Sequence, residues 1–571
     1  MVATPGSSTL MPCRLLVMLN PLPGPLAAVS PVLPFVSDAR VNAVEWAAFV
    51  VDMADPRSSI VAAPWLPCGA RTPRPSAEPC PLHRGQGPSR TGRRPSEWPV
   101  SRTSVGSQVL RYVKFMASYK TVNPATGELL KEFPTATSAE VESALAASYE
   151  AYRSWRLSPV GTRSAVLSRV AEIYQERKDE LAKIIGTEMG KPFRQAQGEI
   201  DIVSSIYRYY ATEGPGFLAD EELSVSGGTA VVRSAPVGSL LGIMPWNFPY
   251  YQVARFAAPN LMLGNTIILK HAPNCPQAAL AMEQVFADAS LPEGAYINIF
   301  ATNDQVADII ADPRNQGVSL TGSERAGSAV AEIAGRHLKK CVLELGGSDA
   351  FILLDTDDLA KTAKLAAAGR MGNAGQACNS PKRFIVREDL YEGFVASLTE
   401  QVAKVTPGDP LDPSTRFGPL SSREAADRLM EQIQDAIDKG ATVHVGGKAV
   451  DGPGAYVEPT VITGVTPEMR AYSEELFGPA AVVYKVSDED EAVELANSSP
   501  YGLGGAVWSQ DVDKARAVAD RLDTGMVWIN GLAGSQADLP FGGVKRSGIG
   551  RELGKYGMAE FVNKKLIRQE K

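Results

Sequence analysis

From Met116 onward, two rhythms of apolar positions alternate along the chain. Compact apolar runs at Val237 to Ile243, Thr266 to Lys270, Ala295 to Ile299 and Val342 to Leu345 predict strands. Elsewhere apolar residues return every three or four positions. Val166, Val170 and Ile173 mark one face of a helix predicted over about Arg163 to Glu188. An alanine-rich helix is predicted to open at Thr137-Ser-Ala-Glu-Val-Glu142, where a hydroxyl stands three residues ahead of a glutamate, the spacing of a capping box. Val122-Asn-Pro-Ala-Thr-Gly-Glu128 places Pro and Gly where a turn needs them. Strands alternating with helices predict an α/β protein with a mostly parallel sheet.

Residues 1–115 show neither rhythm. They hold roughly two fifths of the prolines, many arginines and no lysine before Lys114. Two readings stand: a disordered arm or transit peptide, or GC-rich upstream DNA translated ahead of a true start at Met116. The second is preferred, because arginine without lysine amid Pro, Ala, Gly and Ser is what such DNA encodes. The nearest approach to a membrane span, Leu15 to Val36, is broken by Pro21, Pro23, Pro25, Pro31 and Pro34. The same prolines weigh against a secretory signal beginning at Met11.

Composition narrows the function. The chain has 571 residues, 44% apolar and 21% charged, enough for two or three globular domains. A net charge of −7 argues against a nucleic-acid surface. Six cysteines without close pairing make no disulfide framework, so a reducing, cytoplasmic setting is expected, with a thiol free to act as nucleophile. No metal-ligand set is read from the sequence.

Three segments carry candidate chemistry. Gly375-Gln-Ala-Cys-Asn379 sets Cys378 among small and polar neighbours, including Gly372 and Asn373, unlike the surroundings of a packed thiol. Val342-Leu-Glu-Leu-Gly-Gly347 places Glu344 inside an apolar strand, where a carboxyl is either paired or shifted toward the pKa of a general base. In Met244-Pro-Trp-Asn-Phe-Pro249, the amide of Asn247 either donates to a developing oxyanion or forms a turn.

Together these segments resemble the aldehyde dehydrogenase superfamily over the chain from about Tyr119 to its end. Leu269-Lys270, Thr321-Gly-Ser-Glu-Arg-Ala-Gly327, Glu475-Leu-Phe-Gly-Pro479 and Pro540-Phe-Gly-Gly-Val-Lys-Arg-Ser-Gly-Ile-Gly-Arg-Glu-Leu-Gly554 follow in the family's order. The resemblance implies Cys378 as nucleophile, Glu344 as base and Asn247 as oxyanion donor, passing through a thioester. It implies a nicotinamide dinucleotide held by Trp246, Lys270, Gly322, Ser323, Glu475 and Phe477. Pro273 stands where NAD-preferring members often carry a glutamate, which favours NADP over NAD. His271 is read as structural or at the ribose edge.

The Lys270-His-Ala stretch, Asn247 to Arg255 and Leu539 to Gly543 most resemble bacterial succinate-semialdehyde dehydrogenases. That likeness implies Arg255 and Ser535 at the substrate's far carboxylate. A second arginine of better-known members is Gly372 here, and Arg370 need not face the pocket. Arg255 could equally form a helix-surface ion pair. The alternatives are a broad-specificity aliphatic or aromatic aldehyde dehydrogenase, or a non-catalytic structural relative. None of the four histidines sits in a motif that would make Cys378 a hydrolase nucleophile.

The same resemblance implies a Rossmann-type cofactor domain (116–216 and 237–346), an α/β catalytic domain (347–546) and an oligomerisation region (217–236 and 547–571). In that last region a hairpin from Phe217 to Pro236, with Val225 to Val232 as an edge pair, would be joined across subunits by the Glu560 to Lys564 strand. A homodimer or homotetramer is implied, acting on a small aldehyde with no nucleic-acid or membrane partner.

Overall fold

The computed structural model describes residues 119–571. The expectations for residues 1–115 lie outside the described residues. Among the described residues no helix is long and apolar enough to cross a membrane.

The predicted capping box is formed. Thr137 Oγ1 accepts from Glu140 N–H, and Glu140 returns a 2.7 Å bond to Thr137 N–H at the head of helix Ser138–Trp155. The single helix expected over about 163–188 is two, Val160–Glu176 and Lys178–Met189. The break at Arg177 (φ −102°, ψ 17°) lets Val166, Leu167 and Val170 and then Leu181, Ile185 and Met189 reach one core. Arg177 pairs with Glu180 and Asp288. A pattern of apolar spacing does not register such a bend, because each segment keeps its own period.

Two parallel sheets organise the site. The first runs Gly548–Ile549, Lys340–Glu344, Asn315–Thr321, Ser239–Met244, Thr266–His271, Tyr296–Asn298, parallel except for its first pair. Its order reverses at Ser239–Met244, and a crevice at the carboxyl ends of such strands is where an open α/β sheet binds ligands. Trp246, Asn247, Gly322, Ser323 and Glu344 all lie at those ends, with Lys270 one residue inside its own. The second sheet runs Thr442–Val445, Thr460–Thr463, Ala480–Val486, Pro381–Arg387, Asp349–Leu353, Gly504–Trp508, Met526–Ile529, antiparallel only at its first pair. Cys378 and Glu475 lie just ahead of the neighbouring strands Pro381–Arg387 and Ala480–Val486. Residues 345–348 join the carboxyl end of Lys340–Glu344 to the start of Asp349–Leu353, so the two ligand-facing edges meet there.

The arm differs from expectation. Residue 217 ends helix Phe193–Phe217, and the strands are Glu221–Leu223 and Gly228–Pro236, with Val225 in the turn. The C-terminal strand, Val562–Glu570, pairs along its whole length with Gly228–Pro236 of its own chain, rather than joining the hairpin across subunits. Nine residue pairs in register satisfy its backbone locally, which short-range sequence reading could not assign. Gly548–Ile549 belongs to the first sheet, so not all of 547–571 serves the arm.

Candidate active site

The turn before Cys378 is held in an unusual backbone shape. Asn373, Ala374 and Gly375 take φ of 50°, 52° and 74° in succession. Left-handed residues with a Cβ cost about 1–2 kcal/mol each, so the surroundings must impose this shape. At Gly375 a Cβ would lie 2.2 Å from Gly478 O, so glycine is required. Asn373 Nδ2 donates to Asn247 O and Gln376 O at 3.0 and 3.1 Å. Arg370, fully buried, donates to Gly375 O (3.2 Å), Ser380 Oγ (3.1 Å), Leu476 O and Ala480 O (both 2.7 Å), and Gly478 O. It fastens the nucleophile turn to the loop after Glu475 and does not face substrate. Burial without a bonded carboxylate lowers its pKa to about 9.

Cys378 is half-buried in the wall of a cavity of about 380 Å³, shared with Arg255, Tyr251, Ser535 and Lys191. Burial pushes its thiol up to about 12, while the cations of Arg255 and Lys382 oppose that rise. Asn247 Nδ2 donates to Gln376 O at 3.1 Å, which sets the amide against the same turn. Ser535 Oγ accepts from Tyr251 OH at 2.6 Å. Gly372 also lines the cavity, and a Cβ there would meet nothing within 4 Å, so the second arginine's place is open space. Lys191 is paired with buried Glu199, whose other oxygen accepts from Tyr250 and Tyr251 N–H and so caps the helix carrying Arg255. A larger groove of about 860 Å³, beside edge strand Tyr296–Asn298, has no cysteine in its lining.

Arg255 does not present a free charge. Its Nε lies 2.7 Å from Glu552, both side chains buried, and its guanidinium packs 4.2 Å from the Phe541 ring. Its Nη1 has no protein acceptor. Of the two readings left open by the sequence, the ion pair is present, on a buried helix rather than a surface one.

Glu344 ends its strand with its carbonyl accepting from Gly322 N–H at 2.9 Å. Its carboxyl is buried with neither oxygen hydrogen-bonded, against the space left by the missing side chain of Gly542. Burial and the nearby Glu552 hold its pKa well above the usual range, with Arg255 and Arg551 opposing. It does not line the Cys378 cavity. A carboxyl so placed favours the proton-bearing form.

The residues expected at a dinucleotide lie around the first sheet's edge. Trp246 and Phe477 touch edge to face, centroids 5.7 Å apart. The Lys270 ammonium is buried 5.7 Å from the Tyr119 ring, and burial lowers its pKa to about 8. Ser323 caps helix Glu324–Arg336 through Ala326 N–H. Gly322 N–H is spent on Glu344 O and Ala326 N–H on Ser323, so of the first-turn amides those of Glu324 and Arg325 remain for an anion. Glu475 accepts from Gly347 N–H at 3.2 Å, and its approach requires Gly346, where a Cβ would lie 2.4 Å from Oε2. His271 is buried, with Ala272 N–H donating to Nδ1 and Nε2 facing Pro249 O. Burial lowers its pKa to about 4, which makes it structural.

Lys382, Lys191, Glu199, Tyr251 and Glu552 escaped the sequence reading. One signal was available: Lys382-Arg383 adjoin the fully apolar Phe384-Ile-Val386, and two cations at the head of a buried strand demand polar partners.

A doubly wound sheet whose ligand edge meets a half-buried, tightly held thiol defines a nucleotide-binding α/β fold with a cysteine beside its ligand edge. The chain belongs to the aldehyde dehydrogenase family, whose model matches residues 113–567. It is 60% identical over 450 residues to "Succinate-semialdehyde dehydrogenase [NADP(+)]" of Deinococcus radiodurans, covering 79% of this chain and 94% of that protein. Over 451 residues it is 43% identical to "Succinate-semialdehyde dehydrogenase [NADP(+)] 1" of Mycobacterium ulcerans, covering 78% and 98%. A solved succinic semialdehyde dehydrogenase from Streptococcus pyogenes, in complex with NADP+, is 44% identical with a TM-score of 0.78, covering 79% of this chain and all of that one. The activity is nicotinamide-dependent oxidation of an aldehyde.

Proposed function

We propose that the chain oxidises succinate semialdehyde to succinate with NADP, through a thioester on Cys378. The observation that carries the proposal is the cavity that Cys378 shares with Arg255 and the Tyr251–Ser535 hydroxyl pair. The thiolate adds to the aldehyde carbon, and the amides of Asn247 and Cys378 hold the oxyanion that forms. A dinucleotide held at this edge would supply the hydride acceptor that turns the thiohemiacetal into the thioester. Glu344, which loses its own proton to solvent as it turns out of its buried position toward the cavity, then takes a proton from water, and the hydroxide displaces Cys378 to release the carboxylic acid. Trp246, Lys270, Glu475, Phe477 and the helix beginning after Ser323 hold the cofactor. A buried Lys270 with no carboxylate partner, and Pro273 in place of an acid, suit a 2′-phosphate. The names of the relatives point the same way.

In this reading residues 116–216 and 237–346 bind the cofactor and 347–546 the substrate. The three-stranded arm, with Leu566 and Ile567 exposed on its edge strand, joins subunits into a dimer or tetramer. The pairing of Arg255 with Glu552 favours a second reading, a broad-specificity enzyme, because the cavity's cations are already matched. Comparing kcat/KM for succinate semialdehyde and butanal, each with NADP and NAD, separates the two. The first reading expects at least a tenfold preference for the acid with NADP, about 1.4 kcal/mol. Equal values for both aldehydes would leave only the second.

A further inference from the structure

Lys382 lies beneath both the nucleophile and the Glu475 carboxylate. Its side chain is 1% exposed, and its Nζ donates to Ala377 O (3.0 Å), Cys378 O (2.8 Å) and Ser380 O (3.3 Å), with Glu475 Oε1 at 3.2 Å. It is placed there by strand Pro381–Arg387, whose neighbour Ala480–Val486 follows the Glu475 loop. Building on the roles proposed above for Cys378 and Glu475, we propose that Lys382 is a positioning residue that carries the binding state of Glu475 to the turn around Cys378.

The contrast with Arg370 shows why. Arg370 ties the same two loops backbone to backbone, a link no ligand disturbs. Lys382 instead ties the carbonyl of Cys378 to a side chain that meets ligand. A buried ammonium needs a counter-charge, and Glu475 is its ion-pair partner, with Asp349 nearby. Ribose hydroxyls donating to Glu475 absorb part of that carboxylate's charge and leave Lys382 less compensated. The charged groups acting on the thiol are Arg255 and Lys382, which favour thiolate, and Glu475 and Asp349, which oppose it. Engaging Glu475 therefore shifts this balance toward thiolate, and the cofactor primes the nucleophile before any aldehyde arrives.

The test follows iodoacetamide alkylation of Cys378, read on its own peptide, against pH in the full-length protein with and without saturating NADP. Shielding by cofactor scales the rate but leaves its pH midpoint in place, so the midpoint reports the thiol. In the parent, NADP should lower the midpoint by about half a unit to one unit. Lys382→Met and Glu475→Gln should each erase the shift, with no further effect when combined. An unchanged midpoint in the parent, or a parent-sized shift in Lys382→Met, overturns the proposal. If Lys382→Met fails to fold, Glu475→Gln decides by the same criterion. Aldehyde oxidation by Cys378→Ser is scored separately: survival of activity there refutes the nucleophile assignment, whereas its loss with a parent-sized shift in Lys382→Met refutes the coupling alone.

Discussion

Replacing Arg255 with methionine removes the cation packed between two buried carboxyls. Arg255 Nε is 2.7 Å from Glu552, and its charge also opposes the rise at Glu344. Methionine keeps much of the apolar contact with the Tyr251 and Phe541 rings, so the change is mainly electrostatic. Without its partner, Glu552 takes the neutral form in the folded chain. Protonating an ordinary carboxyl (pKa about 4.3) at pH 7 spans about 2.7 units at about 1.4 kcal/mol each, which bounds the loss near about 3.7 kcal/mol. Breaking buried pairs costs about 3–5 kcal/mol, which agrees. The folded variant then holds a proton that the unfolded chain releases above about pH 4.3. Its stability deficit therefore widens as pH rises, by up to about 1.4 kcal/mol per unit, and shrinks toward pH 5. Urea unfolding of parent and variant at pH 5.5, 6.5 and 7.5, at one protein concentration, measures this. A deficit that is the same at all three values would assign the loss to packing and refute the electrostatic account.

Two further outcomes follow from the site. Glu344→Gln should release a burst of about one NADPH per active site and then turn over about 10²- to 10⁴-fold more slowly, because the thioester forms but water is not activated; undiminished steady-state turnover would remove Glu344 from the mechanism. Lys270, lowered to about 8 by burial, is charged below that pH and neutral above it, so kcat/KM for NADP should fall as pH passes 8 while that for NAD changes less. Parallel profiles for the two cofactors would mean that Lys270 does not meet the 2′-phosphate.

The sequence showed some parts of this molecule better than others, for physical reasons. The Thr137 box was legible because a cap is a local event among four residues, and strand positions 266–270 because complete burial shows as the apolar centre Ile267-Ile-Leu269. The break at Arg177 and the pairing of Val562–Glu570 with Gly228–Pro236 were not, since each depends on contacts more than a hundred residues away. The same division runs through the site. Cys378, Asn247 and Glu344 stood out because their neighbours were wrong for a plain core. Glu552 and Lys382 did not, because one lies among glycines at a strand's exit and the other reads as a surface cation beside Arg383.

What separates the two groups is charge balance, which is a property of three-dimensional neighbours. Arg255 is matched by Glu552, Lys191 by Glu199 and Lys382 by Glu475, while Arg370 is matched by carbonyls and one hydroxyl, without a carboxylate. Around Cys378 the protein thus buries three ion pairs and one guanidinium held by the backbone, and the thiol sits between them in a site of little net charge. Burial in such a site pushes the thiol's pKa up, against the opposing cations of Arg255 and Lys382. Reactivity then depends on ligands that tip a balanced set of charges, and Glu475, with one face to Lys382 and the other to the cofactor edge, is the carboxylate best placed to be tipped.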